Sequence, residues 1–90
     1  MIYEVVRSIS GHVIEIERCR YATRAADNLL SAVYRMIKGD ARLDTKLGHK
    51  VMGSARKLAT DVASGSLKLC QVKLSDSPHI PGSVVLRVRD

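Results

Sequence analysis

Apolar and polar residues alternate along the first 18 positions, in two runs that a short loop separates. The runs read IYEVVRSI (residues 2–9) and HVIEIER (residues 12–18), and both are rich in β-branched side chains. Ser10 and Gly11 between them form a two-residue loop of the kind that tight hairpins use. The pattern therefore predicts a β-hairpin at the start of the chain.

The same loop predicts a register for this hairpin. A regular ladder places five residues together on a core face: Tyr3, Val5, Ile9, Ile14 and Ile16. The opposite face carries Glu4 directly across from Glu17, which is unfavourable because like charges repel across a strand pair. We therefore expect basic side chains beside these glutamates.

Two apolar runs near the end of the chain predict two more strands. LKLCQVKLS (67–75) alternates imperfectly, so either a bulge shifts its register or both of its faces are covered. SVVLRVRD (83–90) alternates regularly and carries two arginines on one face. We interpret Arg87 and Arg89 as sheet-surface partners of Glu4, Glu15 and Glu17, not as ligand-binding residues.

Residues 22–38 have the spacing of an amphipathic helix. Their alanines and larger apolar residues fall on one continuous arc, and their polar residues fall on the opposite one. Thr23 suits the N-cap, and Gly39 suits a stop in the left-handed conformation.

A second helix is predicted over residues 44–64. Leu47, Val51 and Val62 cluster on one side of it, and Lys46, Lys50 and Lys57 cluster on the opposite side. Asp40 or Asp44 can cap its start, and Gly65 can close its end. Gly48 and Gly53 each weaken this helix by up to ~1 kcal/mol relative to alanine, and Gly48 allows a close approach to the first helix.

The order of elements is thus ββααββ. It predicts a single α+β domain over residues 1–90, in which an antiparallel sheet is covered on one face by two antiparallel helices. The chain has no Phe, no Trp and three Tyr, so its core buries less area per residue than an aromatic core. A homodimer would add buried area, so we hypothesise that the protein forms one.

Composition also bears on location. Cys19 and Cys70 lie far apart in the sequence and have no metal-ligand spacing, which favours two buried free thiols in a reducing cytoplasm over a disulfide. No signal sequence or membrane-spanning run is visible, so we expect a cytoplasmic protein without a membrane partner.

No catalytic signature is visible in the sequence. GHKVMGS (48–54) differs from a phosphate-binding loop because no lysine follows Gly53 and no strand precedes the segment. His12, His49 and His79 have no ligand partners at helical spacing. We therefore expect no enzyme activity, no cofactor and no metal.

The charge is concentrated in the middle of the chain. The net charge is +6, and residues 18–57 hold ten basic and three acidic side chains, a charge of +7. Solvated helix faces that serve no ligand would also carry charges, but they usually mix signs. The residues that we expect to form a binding surface are Tyr34, Arg35, Lys38, Arg42, Lys46, Lys50, Arg56 and Lys57.

These features predict a small non-catalytic binding domain that uses a basic helical face to engage nucleic acid or a nucleoprotein complex. An alternative is a protein-directed inhibitor or adaptor that binds an acidic protein surface. Compact domains of this size without catalytic residues are frequent in phages and mobile elements, where many block a CRISPR effector or a restriction enzyme. Both interpretations use the same basic face.

Overall fold

The chain folds as two strands, two helices and two further strands. A computed structural model describes residues 1–40, 44–74 and 82–89. The elements are β1 (Ile2–Ile9), β2 (His12–Cys19), α1 (Ala22–Gly39), α2 (Thr45–Ala63), β3 (Leu69–Lys73) and β4 (Gly82–Arg89). The strands form one antiparallel sheet in the order β2-β1-β4-β3, and both helices pack against it. The predicted α+β fold class and element order are therefore confirmed.

The core lies between the helices and one face of the sheet. Leu29 and Val33 from α1 and Val62 from α2 are fully buried there, against Val84 and Leu86 of β4. Small residues bring the helices together: a Cβ on Gly48 would lie 3.2 Å from Cγ2 of Ile37. The close approach predicted for Gly48 is confirmed.

The helix ends follow the sequence signals in part. Asp44 is the N-cap of α2, because its Oδ1 accepts a hydrogen bond from the Leu47 amide at 2.7 Å. Gly65 ends α2 with a φ of +82°, as predicted. The predictions for α1 were wrong in detail: its N-cap is Tyr21 without a side-chain hydrogen bond, and Gly39 lies within the helix. The Pro-containing connection predicted over 76–83 lies mostly outside the described residues.

The first hairpin contains a β-bulge that the sequence prediction missed. Ser10 and Gly11 both have positive φ, 52° and 79°, which confirms the two-residue loop. The regular pairing continues to Ser8 opposite Val13, but the next pair joins Arg7 to Glu15, so Ile14 is an extra residue in β2. The predicted register is therefore wrong beyond Ile14, and Glu4 lies opposite Arg18 instead of Glu17.

The bulge exchanges the two faces of β2. Glu15 and Glu17 share the helix-covered face with Val5, and Ile16 shares the uncovered face with Val6. The predicted core positions of Ile14 and Ile16 are therefore wrong, and these side chains are 48% and 37% exposed.

The strand β3 is shorter than predicted, because it begins at Leu69 and Leu67 precedes it. Val72 and Leu74 are buried against the helices, while Leu69 is an apolar residue exposed on the other face, so the imperfect alternation remains at Leu69. Among the described residues, no helix combines the length and the apolar character that a membrane crossing requires.

Candidate functional site

Three lysines form a line along the outer surface of α2. Lys46, Lys50 and Lys57 are all exposed, on the side of the helix opposite the buried Val51 and Val62. We call these three residues the lysine stripe. Since an α-helix rises about 1.5 Å per residue, their Cα atoms span about 16 Å along its axis.

The lysine stripe is not neutralised by neighbouring acids. Within residues 1–40, 44–74 and 82–89, no carboxylate lies within ion-pair distance of Lys46, Lys50 or Lys57. Arg56, on the side of α2 nearer α1, is exposed and likewise has no ion pair in this part of the chain. These cations therefore keep their full charge toward the solvent and can attract a polyanion.

A shallow groove lies between the two helices. Tyr34 and Lys38 line it from α1, and His49 and Met52 line it from α2. The Nζ of Lys38 lies 5.3 Å from the centroid of the Tyr34 ring, a cation–π contact. Tyr34 is 51% exposed, so its ring is accessible to a ligand.

Arg35 belongs to a different part of the molecule. Its Nη2 lies 2.7 Å from Glu15 Oε1 and 3.0 Å from Glu17 Oε1, both on β2. Arg7 also contacts Glu15, at 3.2 Å. Two carboxylates thus offset the Arg35 charge at the β2 edge of the sheet, whereas the lysine stripe lies on the other helix. Arg42 lies outside the described residues.

The structure also assembles three arginines that the sequence analysis did not treat as a site. Arg18 Nε lies 2.6 Å from Glu4 Oε2, and Arg87 Nε lies 2.9 Å from Glu4 Oε1. Arg89 Nη1 lies 3.7 Å from the same Oε1. We call Arg18, Arg87 and Arg89 the arginine cluster. The predicted pairing of Arg87 and Arg89 with Glu4 is confirmed, but their predicted pairing with Glu15 and Glu17 is wrong because the bulge moves both glutamates to the other face.

The arginine cluster determines the protonation of Glu4. The hydrogen bonds from Arg18 and then Arg87 lower the pKa of the Glu4 carboxyl below its ordinary value of 4.5, against an opposing effect of desolvation. Glu4 has no exposed surface, although it lies on the sheet face that no helix covers. The arginine side chains therefore shield it, and the carboxylate stays ionised between three cations.

The remaining reactive side chains do not form a cluster. Among the residues that the structure describes, no three His, Cys, Asp or Glu side chains are placed to hold a metal ion. Cys19 and Cys70 are free, and they lie on the two outer strands, about 14 Å apart at the usual strand spacing, which is too far for a disulfide. Burial raises the pKa of the Cys70 thiol, so this thiol is protonated and weakly nucleophilic at neutral pH.

In the described part of the chain, the helical side thus carries a lysine stripe and an exposed tyrosine, and the uncovered side of the sheet carries an arginine cluster. Comparisons with protein-family models, with curated proteins and with solved structures find no match for this chain.

Proposed function

We propose that this protein is a non-catalytic binding domain whose lysine stripe engages the phosphate backbone of a nucleic acid, free or within a nucleoprotein complex. The observation that carries the proposal is the line of Lys46, Lys50 and Lys57, exposed and without acidic partners among the described residues. Each lysine that neutralises a phosphate releases a counterion, which favours binding at low salt.

The recognition that we propose is independent of sequence. Phosphate contacts position a protein on nucleic acid but do not read its bases. The stripe consists of flexible ammonium groups, and the exposed Tyr34 lies in the groove between the helices. We therefore propose contact with the backbone, to which stacking of a single base on Tyr34 can add.

The proposed location is the cytoplasm. Its support is the pair of free thiols on opposite edges of the sheet, because cysteines that cannot pair within the chain are best preserved in a reducing compartment.

A salt series with two charge-matched variants tests the proposal. Fluorescence anisotropy with labelled duplex DNA, single-stranded DNA and RNA is measured for the wild type and for K46A/K50A/K57A. The control is R20A/R24A/K68A, which removes the same charge from exposed residues off the stripe. We expect the stripe variant to lose at least about tenfold in affinity and the slope of log K against log[salt] to weaken by about 3.

Two results would overturn the proposal. Equal losses of affinity in both triple variants would mean that binding depends only on the net charge of the protein. No binding to any of the three nucleic acids at physiological salt would favour the alternative, an inhibitor or adaptor whose basic face binds an acidic protein surface.

A further inference from the structure

The sheet face that no helix covers has an unusual composition. We call it the open sheet face. One row is apolar on three of its four strands, with Val6 on β1 paired to Ile16 on β2 and to Val85 on β4, and it ends at Gln71 on β3. The adjacent row places Glu4 between Arg18 and Arg87 and ends at Leu69 on β3. Apolar and arginine side chains thus lie in neighbouring rows of the same surface.

This composition differs from that of a solvated sheet face. Antiparallel sheets with one uncovered face normally carry polar residues on it, but here Leu69 is 69%, Val13 56% and Ile16 37% exposed. Arginine is enriched in protein interfaces, and exposed apolar side chains rimmed by polar ones mark interaction sites. The open sheet face therefore has the composition of a protein-binding surface.

Glu4 holds the arginines in position for an external partner. Arg18 and Arg87 each use Nε for Glu4, and their Nη atoms donate no hydrogen bond to any residue that the structure describes. Each guanidinium is thus held by Glu4 through its Nε atom, and its Nη atoms can donate hydrogen bonds to a ligand. A carboxylate is the protein group that such donors bind best.

The charge of the face selects the occupant. Arg18, Arg87 and Arg89 surround the Glu4 carboxylate, so this group of four side chains carries a net charge of +2. A second copy would bring six guanidinium groups together with two carboxylates, so the homodimer hypothesis finds no support on this face. A nucleic acid could contact the arginines through phosphates, but it would leave the apolar row without a partner.

We propose that the open sheet face binds a different protein, one that presents Asp or Glu side chains beside apolar ones. With strands about 4.8 Å apart and up to eight residues long, the face measures roughly 15 × 25 Å. This is the size of a small, transient interface. The site does not depend on nucleic-acid binding, and it lies across the sheet from the lysine stripe, so both surfaces can be occupied at once.

A displayed library of random 16-residue peptides provides a defined probe for this surface. We expect wild-type protein to select peptides that combine Asp or Glu with Leu, Ile or Val and bind with micromolar affinity. Amide chemical shifts on binding should change along β1, β2 and β4 and little on the outer side of α2. Peptides without acidic residues, a failure to select any binder, or shifts confined to the helices would overturn the proposal.

Point variants make the test specific. L69E and R89E change side chains that are more than half exposed, so the fold is retained, which thermal melting checks. We expect each to weaken peptide binding at least tenfold. K57E has the same charge change as R89E but lies on the lysine stripe, and we expect it to have little effect. Equal weakening by K57E would overturn the proposal.

Separate measurements would identify a second copy of this chain or a nucleic acid as the occupant. Sedimentation equilibrium that shows a dimer, which L69E dissociates, would identify a second copy as the occupant. Duplex DNA binding that R89E weakens and K57E does not would identify nucleic acid. Either result would overturn the proposal of an acidic protein partner, and neither would be produced by failure of the lysine stripe alone.

Discussion

Glu4 and Arg18 lie directly opposite each other on β1 and β2, and their side chains are joined by a 2.6 Å contact between Glu4 Oε2 and Arg18 Nε. This pairing exists because Ile14 is an extra residue in β2. A regular ladder would have placed Glu17 opposite Glu4 and left two like charges side by side. With the bulge, Glu17 instead reaches Arg35 on the helix side.

Deleting Ile14 should preserve this pairing. Without Ile14, Val13 and Glu15 become consecutive partners of Ser8 and Arg7, so the ladder is regular and every other residue keeps its face. Because Ile14 is half exposed, we expect a loss of about 1 kcal/mol in the free energy of unfolding. Urea denaturation measures this loss of stability. A nuclear Overhauser effect between backbone protons of Glu4 and Arg18 shows whether the two residues remain opposite each other.

Deletion of Ile16 is the matched control. It would move Glu15 onto the open sheet face opposite Val6, so Arg7 would lose its ion pair and Arg35 would keep only the one with Glu17. We expect a clearly larger loss of stability than for the Ile14 deletion. Equal losses of stability in the two deletion variants would show that the bulge does not determine the face on which Glu15 and Glu17 lie.

Glu4 should make stability depend on pH in the acidic range. Its pKa is lowered in the folded state by hydrogen bonds from Arg18 and Arg87, so the unfolded state binds a proton more readily. The stabilisation is therefore fully present above the ordinary pKa of 4.5 and declines as the pH falls toward the lower pKa of the folded protein.

A Glu4→Gln variant isolates this effect. At pH 7 we expect it to be less stable than the wild type, because three arginines lose their carboxylate. The difference in the free energy of unfolding should shrink as the pH is lowered from 5 to 3. Chemical denaturation at several pH values measures it, and a difference that stays constant with pH would contradict the role assigned to the Glu4 charge.

Local signals explain what the sequence alone predicts well. The apolar spacing of α1 and α2, the Asp44 cap and Gly65 all act within a few residues, and the structure retains them. The element order and the α+β fold class follow from such signals. The two faces of each helix also follow from periodicity, so the exposure of the lysine stripe was predictable.

The partners of Arg18 and Arg35 were not predictable, because they depend on contacts between distant elements. Arg35 has the helical spacing of a solvent-exposed cation, but in the folded chain it meets Glu15 and Glu17, some 20 and 18 residues away. The acidic neighbours of Arg18 in the sequence, Glu15 and Glu17, lie on the other face of the sheet, and Arg18 meets Glu4 only through the shifted register. With the bulge, Glu15 contacts Arg7 and Arg35, Glu17 contacts Arg35, and Glu4 contacts Arg18. No local motif encodes these contacts.

Arg35 should contribute less to nucleic-acid binding than Lys50, although both carry one positive charge. The Glu15 and Glu17 carboxylates already offset the Arg35 charge. We expect Lys50→Ala to weaken DNA binding several-fold and Arg35→Ala to weaken it much less, in anisotropy titrations at one salt concentration. Arg35→Ala should instead cost about 0.5 kcal/mol of stability, as is usual for half-exposed ion pairs. An equal loss of binding in both variants would mean that Arg35 also contacts the ligand.

The two glycines inside α2 should respond differently to alanine. At Gly53 a Cβ would meet no atom within 4 Å, so Gly53→Ala should gain the helix propensity of alanine, about 0.5–1 kcal/mol in the free energy of unfolding. At Gly48 a Cβ would lie 3.2 Å from Ile37 Cγ2, and pushing the helices apart would offset that gain. Urea denaturation of the two variants measures the difference. Equal stabilisation by both substitutions would show that α1 and α2 are not packed closely at Gly48, whereas a gain confined to Gly53→Ala would show that Gly48 keeps the two helices in contact.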